Sequence, residues 1–372
     1  MSGYGGRLAI GFVFAPGSTA DNLVAHITHS SLAFNNGPAF DGKLSRVSGP
    51  NLGGEELLIT NLPRSVRDHL TNSIAFRPAE PAVLYFLQGS NSAGGAADGA
   101  WGNRPERLLS AALLRLDLNK LPADLPLDAF TSQDQNVINN ADINSPTLSD
   151  GSYNPYYTDA PLTLYATGIR NAYDLIWHSN GKAYIPTNGT GGGSVSPASV
   201  AGTRRPDGSF YSGQTVPRIE GNETQRDFLF KVDPTDPRAY FGHPNPTRGE
   251  YVLNREPVDA ALYPASIQPD ANYAGFAYDF AFNKSPNGVI EYQSTAHNGA
   301  LQGALLVTRY SGGSDIIVLL PDGPDGDIGT AATDLPGLSG FDDPLDIIED
   351  VQNGNLYVSD FGSQTIILLV PN

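Results

Sequence analysis

A short polar segment of the chain contains the side chains best suited to proton transfer. Arg67, Asp68 and His69 are consecutive, and Asn72 follows just before an apolar, strand-like run that ends at Phe76. An imidazole beside a carboxylate, with a guanidinium nearby, provides the groups that a proton-abstracting site needs. A structural histidine in a loop before a strand is the alternative.

A second polar group follows much later in the chain. Arg170 and Asn171 precede an apolar run that continues from Leu175 to Trp177. Charged and amide side chains at the start of two separate strands indicate one site assembled from two structural repeats. Arg170 is also consistent with a core residue bonded to loop carbonyls.

The composition and the periodicity predict an all-β fold. Among the 372 residues, 41 are Gly and 29 are Pro, which supply turns, and 17 Tyr and 16 Phe favour pleated strands. An apolar strand, a turn and a Tyr-bearing strand recur at residues 74–85, 175–184 and 347–357. Hairpins that recur at long intervals favour the radial blades of a propeller over a sandwich. Because no shift in composition marks a boundary, residues 1–372 are predicted to form a single domain.

The start of the sequence, its net charge and its lack of cysteine restrict the classes of protein to which the chain can belong. The chain enters a strand-like run at Arg7 without the start of a signal peptide, so we expect a chain excised from a longer precursor. The formal net charge of −17 disfavours binding to nucleic acid and docking on anionic lipid. Without cysteine, disulfides and thiolate zinc sites are excluded. No apolar run reaches the roughly 18 residues of a membrane span, so no membrane insertion is predicted.

The polar groups belong to longer motifs that resemble a known family. Residues 62–76, 168–175 and 184–189 resemble the soluble quinoprotein glucose/sorbosone dehydrogenases, with weaker matches over nearly the whole chain. The resemblance implies a six-bladed β-propeller that binds pyrroloquinoline quinone (PQQ) and calcium. It also implies oxidation of an aldose-type sugar with an external electron acceptor, in the periplasm or outside the cell.

The resemblance implies roles for individual residues. His69 matches the general base that removes a hydroxyl proton as hydride passes to the quinone, and Asp68 would orient its ring or shift its pKa. A guanidinium suits the carboxylates of PQQ. The residues matched to cofactor contacts are Arg170, Asn171, Arg309 and Asn72.

A third segment matches the calcium site of this family. Its residues are Asn188, Gly189 and Thr190, and side-chain amide and backbone carbonyl oxygens are the hard ligands that calcium prefers.

Two positions near the cofactor motif depart from the family. Ile169 stands where a polar residue usually precedes the Arg-Asn pair, and Ala172 replaces the Pro that usually follows it.

These departures keep two other functions open. One is a non-catalytic, carbohydrate-binding propeller module, and the other is a calcium-dependent, lactonase-like hydrolase in which a histidine acts through water.

Two further residues are candidates for the same site. Trp101, in a Gly-rich loop, can stack on a sugar, and His243, in a Gly-His-Pro sequence, can line a cleft, although both also suit structural positions.

Overall fold

Short apolar runs between turn residues become antiparallel strands along most of the chain. The computed structural model describes residues 6–236, 238–254 and 263–371. These residues divide into two units. Unit 1 comprises Met1–Asn171, Thr190–Thr224 and Arg238–Ala274, and unit 2 comprises Ala172–Gly189, Gln225–Pro237 and Gly275–Asn372.

Unit 1 contains two large sheets and a two-stranded ribbon. The first sheet has the order β1-β2-β3-β4-β8, in which only the β4–β8 pairing is parallel, and the second has the order β5-β6-β7-β9. The ribbon pairs β12 with β13. The strands are β1 (Arg7–Phe14), β2 (Val24–Ser31), β3 (Phe40–Ser48), β4 (Gly54–Pro63), β5 (Thr71–Arg77), β6 (Glu80–Gln88), β7 (Ala112–Asp117), β8 (Leu127–Asp128), β9 (Leu162–Thr167), β12 (Ser194–Ser196) and β13 (Ile219–Asn222).

Unit 2 contains three further sheets, all antiparallel. Their strand orders are β10-β11-β14-β15, β16-β17-β18-β19 and β20-β21-β22. The strands are β10 (Ile176–Trp177), β11 (Ala183–Thr187), β14 (Arg226–Val232), β15 (Tyr278–Phe282), β16 (Pro286–Glu291), β17 (Leu305–Arg309), β18 (Asp315–Leu320), β19 (Thr330–Ala332), β20 (Pro344–Asp350), β21 (Asn355–Asp360) and β22 (Thr365–Leu369).

Helical structure is scarce in the described residues. The α-helix described is α1 (Gln135–Asn139), which begins at an Asp134 cap. Short 3₁₀ helices span Pro50–Leu52, Gly99–Trp101, Leu118–Lys120, Pro246–Arg248, His297–Gly299 and Pro324–Gly326. Among the described residues, no helix has the length and apolar character that crossing a membrane requires.

The predicted hairpin repeats are confirmed. They become the β5–β6, β10–β11 and β20–β21 hairpins, each of which lies in a different sheet. The turns of the second and third use Gly181 and Gly354 at positive φ, as expected for Asn-Gly sequences. The predicted all-β fold with propeller-type sheets is therefore confirmed.

The predicted count of six blades is wrong for the described residues, which form five sheets of three to five strands. Parts of unit 1 that lie between residues 190 and 274 form the β12–β13 ribbon and isolated bridges such as Arg204–Phe210 instead of a further blade. The physical reason lies in the composition. Gly and Pro weaken strand interiors, and each Pro removes a ladder donor.

Each unit has its own apolar core. In unit 1, a cluster includes Leu62, Leu84, Phe86 and Leu114, which join the first and second sheets. Strand β6 is buried along most of its length, as expected for a strand covered on both faces. The first sheet and β5–β6 carry the turns that surround His69, so this core fixes the scaffold of the candidate site.

Candidate active site

The turn that carries His69 is fixed by Ser65. The Ser65 hydroxyl accepts hydrogen bonds from the backbone N–H groups of Arg67 (3.0 Å) and His69 (3.1 Å). The Ser65 N–H donates in turn to the His69 carbonyl at 3.1 Å. A serine hydroxyl commonly closes a turn in this way. The backbone of His69 is therefore held before β5 begins.

A buried arginine, Arg64, supports the turn that carries His69. Arg64 is fully buried, and its guanidinium donates to the carbonyls of Ser31 (3.1 Å), Arg67 (3.0 Å) and Ala33. It also lies 3.4 Å from an Asp41 carboxylate oxygen. A buried guanidinium satisfied by carbonyls and one carboxylate is a structural anchor. No motif around Arg64 in the sequence indicates this role.

The hydrogen bonds of His69 define its tautomer. Its Nδ1 lies 2.8 Å from the Ser90 hydroxyl and 3.1 Å from the Ser90 carbonyl oxygen. Because a carbonyl only accepts, Nδ1 carries the proton in the neutral ring and donates to Ser90. The Ser90 hydroxyl donates its own proton to the Ser92 carbonyl at 2.7 Å. The basic lone pair of His69 is therefore on Nε2, to which no described residue is hydrogen-bonded.

Gly89 permits this close approach to Ser90. A Cβ at Gly89 would lie 2.8 Å from the His69 Cβ and 3.1 Å from its Cα. The Gly89 N–H also donates to the Leu70 carbonyl at 2.9 Å. A side chain at this position would therefore push the Ser90 loop away from the imidazole.

The surroundings of His69 keep its ring neutral. Burial is the largest influence, and the positive charge of Arg170 and the proximity of His243 add to it. Together they hold the pKa of His69 well below its usual value, although the bond to Ser90 opposes the shift. Since a base must be unprotonated to act, this imidazole is ready to accept a proton at neutral pH.

Trp101 brings His69 and Arg170 to one surface. The indole and imidazole centroids are 4.3 Å apart, with 45° between the planes. The guanidinium carbons of Arg67 and Arg170 each lie 5.7 Å from the indole centroid. The indole is positioned by the Gly99–Trp101 turn, in which the Asp98 carboxylate accepts a hydrogen bond from the Trp101 N–H at 3.0 Å. The structure thus places a predicted base and a predicted cofactor contact around a residue expected to stack on sugar.

Arg170 is bound to the same loop that holds His69. Its Nε donates to the Ala93 carbonyl at 2.9 Å, and its own carbonyl accepts from the Ser90 N–H at 2.8 Å. Residues 90–93 therefore connect His69 with Arg170. Asn171 follows immediately and is half-buried.

A carboxylate that belongs to no recognisable sequence motif organises this loop. Glu106 is fully buried and accepts from the N–H groups of Asn91 (3.0 Å) and Ser92 (2.9 Å) and from the Ser92 and Ser110 hydroxyls. It also accepts from His243 Nε2 at 3.1 Å. Burial by itself would raise the pKa of Glu106, but these donors outweigh burial and hold the pKa below its usual value. Glu106 is therefore an ionised anchor.

Two predicted site residues of unit 1 have other surroundings. The side chain of Asp68 is exposed, and Ser90 is the partner of the His69 ring. Asn72 is buried on β5, where its carbonyl accepts from the Thr28 hydroxyl at 2.7 Å. Their roles in orienting the base and binding the cofactor remain predictions.

The predicted calcium segment is divided between the units. Asn188 and Gly189 belong to unit 2, whereas Thr190 belongs to unit 1. In unit 2 the Gly189 N–H donates to Asp227 at 2.9 Å, and the other oxygen of Asp227 accepts from the N–H groups of Lys284 (2.7 Å) and Ser285 (2.9 Å). The Asp227 carboxylate therefore holds the backbone of these two segments in place. The described residues contain no group of three or more His, Cys, Asp or Glu able to hold a metal.

Arg309, the remaining predicted cofactor contact, is paired within unit 2. Its Nε lies 2.6 Å from an Asp315 oxygen, and the two residues are cross-strand partners on β17 and β18. Asp315 is fully buried. In this structure the guanidinium closes a hairpin through an ion pair.

Comparisons with known proteins identify the fold. No protein-family model matches the sequence. No curated protein matches it either. Several solved structures match over nearly the whole chain. The holo PQQ domain of pyranose dehydrogenase from Coprinopsis cinerea is 16% identical, with a TM-score of 0.54 over 97% of this chain and 81% of that chain.

Two further structures show the same likeness. A Thermus thermophilus protein named as a glucose dehydrogenase is 17% identical, with a TM-score of 0.52 over 96% of this chain and 78% of that chain. A Trichoderma reesei carbohydrate-active enzyme of family AA12 is 14% identical, with a TM-score of 0.50 over 96% of this chain and 79% of that chain. At these identities the likeness is one of fold, and the predicted resemblance to PQQ-type propellers is confirmed at that level.

Proposed function

We propose that this protein is a PQQ-dependent dehydrogenase of aldose-type sugars in which His69 is the general base. One observation carries the proposal. Ser90 holds the proton of His69 on Nδ1, so a neutral, buried imidazole keeps its lone pair on Nε2, and both this ring and the Arg170 guanidinium contact the Trp101 indole. The likeness of fold to a PQQ domain supports the choice of cofactor.

The residues around Trp101 fit a planar anionic cofactor. The chain has a net charge of −17, yet Arg67 and Arg170 both lie over this indole. Guanidinium groups match carboxylates in geometry and charge, and PQQ carries carboxylates. We assign Arg170 and Asn171 as the residues that would hold it. When bound, PQQ supplies the acceptor for the hydride of the sugar.

The protein residues then handle the proton. Nε2 of His69 takes the proton of the sugar hydroxyl, so the O–H bond breaks as the N–H bond forms. The positive charge of the resulting imidazolium is stabilised by the Nδ1–H bonds to Ser90, while burial and Arg170 oppose it. A base with such a lowered pKa releases the proton readily after the transfer.

Calcium dependence is part of the proposal. The Asn188 side chain and the backbone carbonyls of Gly189 and Thr190 are oxygen donors of the kind that calcium binds. Asp227 is engaged by backbone N–H groups, so these uncharged oxygens would be the main ligands. Calcium titration of the purified protein, followed by calorimetry, tests this part of the proposal.

A cofactor titration tests the function. PQQ added to the purified protein with calcium should change the quinone absorbance at micromolar concentrations and permit dye-linked oxidation of aldoses. His69→Ala should abolish oxidation and retain the absorbance change. Arg46→Ala, at an exposed arginine, is a control that should preserve both.

Other outcomes would favour the other functions. Absence of PQQ binding at micromolar concentration contradicts the dehydrogenase. Sugar binding without PQQ binding would support a carbohydrate-binding module, and lactone hydrolysis with calcium alone would support a hydrolase that uses His69 through water.

A further inference from the structure

A cavity in unit 1 is lined by residues that take no part in the candidate active site. Its volume is about 290 Å³. Ile143, Leu164 and Pro206 give it an apolar wall, and Arg204 and Asp207 add one charge of each sign. Binding pockets for small molecules usually span roughly 300–1,000 Å³, so a cavity of this size suits a ligand of only a few carbon atoms.

A tight hairpin presents Arg204 to this cavity. The Arg205 N–H donates to the Ser209 carbonyl at 2.8 Å, and the Gly208 N–H donates to the Arg205 carbonyl at 3.0 Å. Gly208 has a φ of 83°, the left-handed conformation that closes such short hairpin loops. The Arg204 N–H donates to the Asn139 side chain at 2.9 Å, at the end of α1. The backbone of Arg204 is therefore fixed on both sides.

The guanidinium of Arg204 is held in place but has no acceptor. Its central carbon lies 4.9 Å from the centroid of the Tyr156 ring. That ring packs against an apolar cluster of Leu108, Ile138, Ala141 and Leu148. Among the described residues, none accepts a hydrogen bond from the guanidinium, whose Nε is buried while its two Nη groups are not. The Nη groups are therefore the donors that a ligand in the cavity can reach.

The neighbouring charges do not satisfy Arg204. Arg205 donates to its own carboxylate, Asp270, at 2.7 Å. Asp207 lines the same cavity as Arg204, but it accepts from the Ser209 N–H (2.9 Å) and hydroxyl (2.6 Å). The chain has 39 acidic residues and a net charge of −17, yet none of the described carboxylates pairs with this guanidinium. A positioned guanidinium without a carboxylate indicates a site for an anion that comes from solution.

We propose that Arg204 binds the carboxylate of a small organic acid in this cavity. The two Nη groups form a planar fork that matches the two oxygens of a carboxylate, and the apolar wall of Ile143, Leu164 and Pro206 receives the alkyl group. Asp207 on the same wall repels a dianion more strongly than a monoanion, so monocarboxylates bind in preference to phosphate. This inference goes beyond the proposed function and does not rest on it.

A titration of the purified protein, followed by the ¹⁵N–¹H signals of the arginine side chains, tests the site. The probes are acetate, propionate and inorganic phosphate, with propionamide as the uncharged analogue of propionate, all at one ionic strength. Propionate should shift the Arg204 signal saturably, with a dissociation constant on the order of 1 mM, as expected for so small a ligand. Propionamide and phosphate should bind at least about tenfold more weakly.

Substitutions separate the fork of Arg204 from its charge. Ligand-observed saturation-transfer spectra report binding to variants that lack the arginine signal. Arg204→Gln should abolish propionate binding, and Arg204→Lys, which keeps the charge and loses the planar fork, should weaken it by about tenfold. Arg218→Gln is the matched control in unit 1. It removes the same charge from an exposed arginine paired with Glu220, so it should bind propionate as the wild-type protein does.

Four outcomes would overturn the inference. They are the absence of saturable binding of either carboxylate, equal binding of propionate and propionamide, tighter binding of phosphate, and full binding by Arg204→Gln. The comparison of propionate with propionamide uses the wild-type protein alone, so it decides the question even if a variant has a lowered melting temperature.

Discussion

At the residue scale, a serine decides which nitrogen of the candidate base can react. The Ser90 carbonyl and hydroxyl both contact His69 Nδ1, and together they keep the proton on that atom. A carboxylate in this position, as in many catalytic histidines, would also stabilise the imidazolium. A neutral serine stabilises it less, which agrees with the strongly lowered pKa of His69. The site is therefore built to keep its base unprotonated.

Removal of the Ser90 hydroxyl should weaken the base without removing it. In Ser90→Ala the carbonyl contact at 3.1 Å remains, and the contact at 2.8 Å is lost. We expect kcat to fall by about five- to tenfold, the effect of about 1 kcal/mol, with KM nearly unchanged. Steady-state kinetics measure this effect, and nitrogen chemical shifts of His69 should show a larger fraction with the proton on Nε2.

A control distinguishes positioning from general damage. Ser179 is exposed in unit 2, so Ser179→Ala should alter neither kcat nor the tautomer. If Ser90→Ala lowers the melting temperature but leaves the nitrogen shifts unchanged, Ser90 has only a structural role.

At the element scale, an arginine in a buried ion pair ties the segment that includes the Pro246–Arg248 turn to the loop that precedes β7. Arg248 is fully buried and binds Glu250 at 2.9 Å. It also donates to the carbonyls of Leu108 (2.8 Å) and Ser110 (2.6 Å). Burial raises the pKa of Glu250, although Arg248 opposes the shift. The ion pair therefore positions the residues that flank His243 and Glu106.

Breaking this pair should be costly, because one partner would be left buried without the other. We expect Arg248→Met to lower the free energy of unfolding by about 3–5 kcal/mol, as measured by urea denaturation. Adding Glu250→Leu should recover part of the loss. Arg46 and Glu56 form an exposed pair, so Arg46→Met should cost less than about 1 kcal/mol. Equal costs at the two positions would contradict the anchoring role.

The sequence predicts the elements with internal periodicity and misses the loop contacts. The repeated hairpins were predictable because apolar alternation and Asn-Gly turns are local signals. Glu106 and Ser90 were not, since they act through contacts between loop segments distant in sequence, and neither lies in a recognisable motif. Trp101 was noted only for sugar stacking, although it lies on His69. The count of six blades was wrong because it was taken from the family resemblance, whereas Gly and Pro disfavour strands in part of this chain.

At the scale of the whole molecule, the two units should respond to acid in opposite directions. In unit 1, burial lowers the pKa of His26 and of His29 to about 4, and it lowers the pKa values of His69 and His243 as well. In unit 2, burial and the neighbouring charge of Asp174 raise the pKa of Asp346 to about 7. The buried histidines thus make folded unit 1 more stable at neutral pH. The buried aspartate makes folded unit 2 more stable at mildly acidic pH.

The direction in which the stability of each unit changes with pH follows from the proton uptake of its folded and unfolded states. The histidines of unit 1 take up protons near pH 6.5 only when unfolded, so stability that is present above pH 6.5 is lost as the pH falls toward 4. Asp346 binds its proton near pH 7 only when folded, so unit 2 gains stability as the pH falls below 7. Measurements at pH 7.5 and 5 lie mostly above the range in which ordinary carboxylates titrate.

Hydrogen exchange that is corrected for intrinsic rates measures each unit separately. Between pH 7.5 and 5, peptides from β2 and β3 should lose protection, whereas peptides from β16 and β20 should keep or gain it. Asp346→Asn removes the repulsion from Asp174, so it should stabilise unit 2 at pH 7.5 by on the order of 1–3 kcal/mol and have little effect at pH 5. Asp124→Asn, at an exposed position, should have no such pH dependence. A parallel loss of protection in both units on acidification would show that the buried histidines and the buried aspartate do not control the acid response.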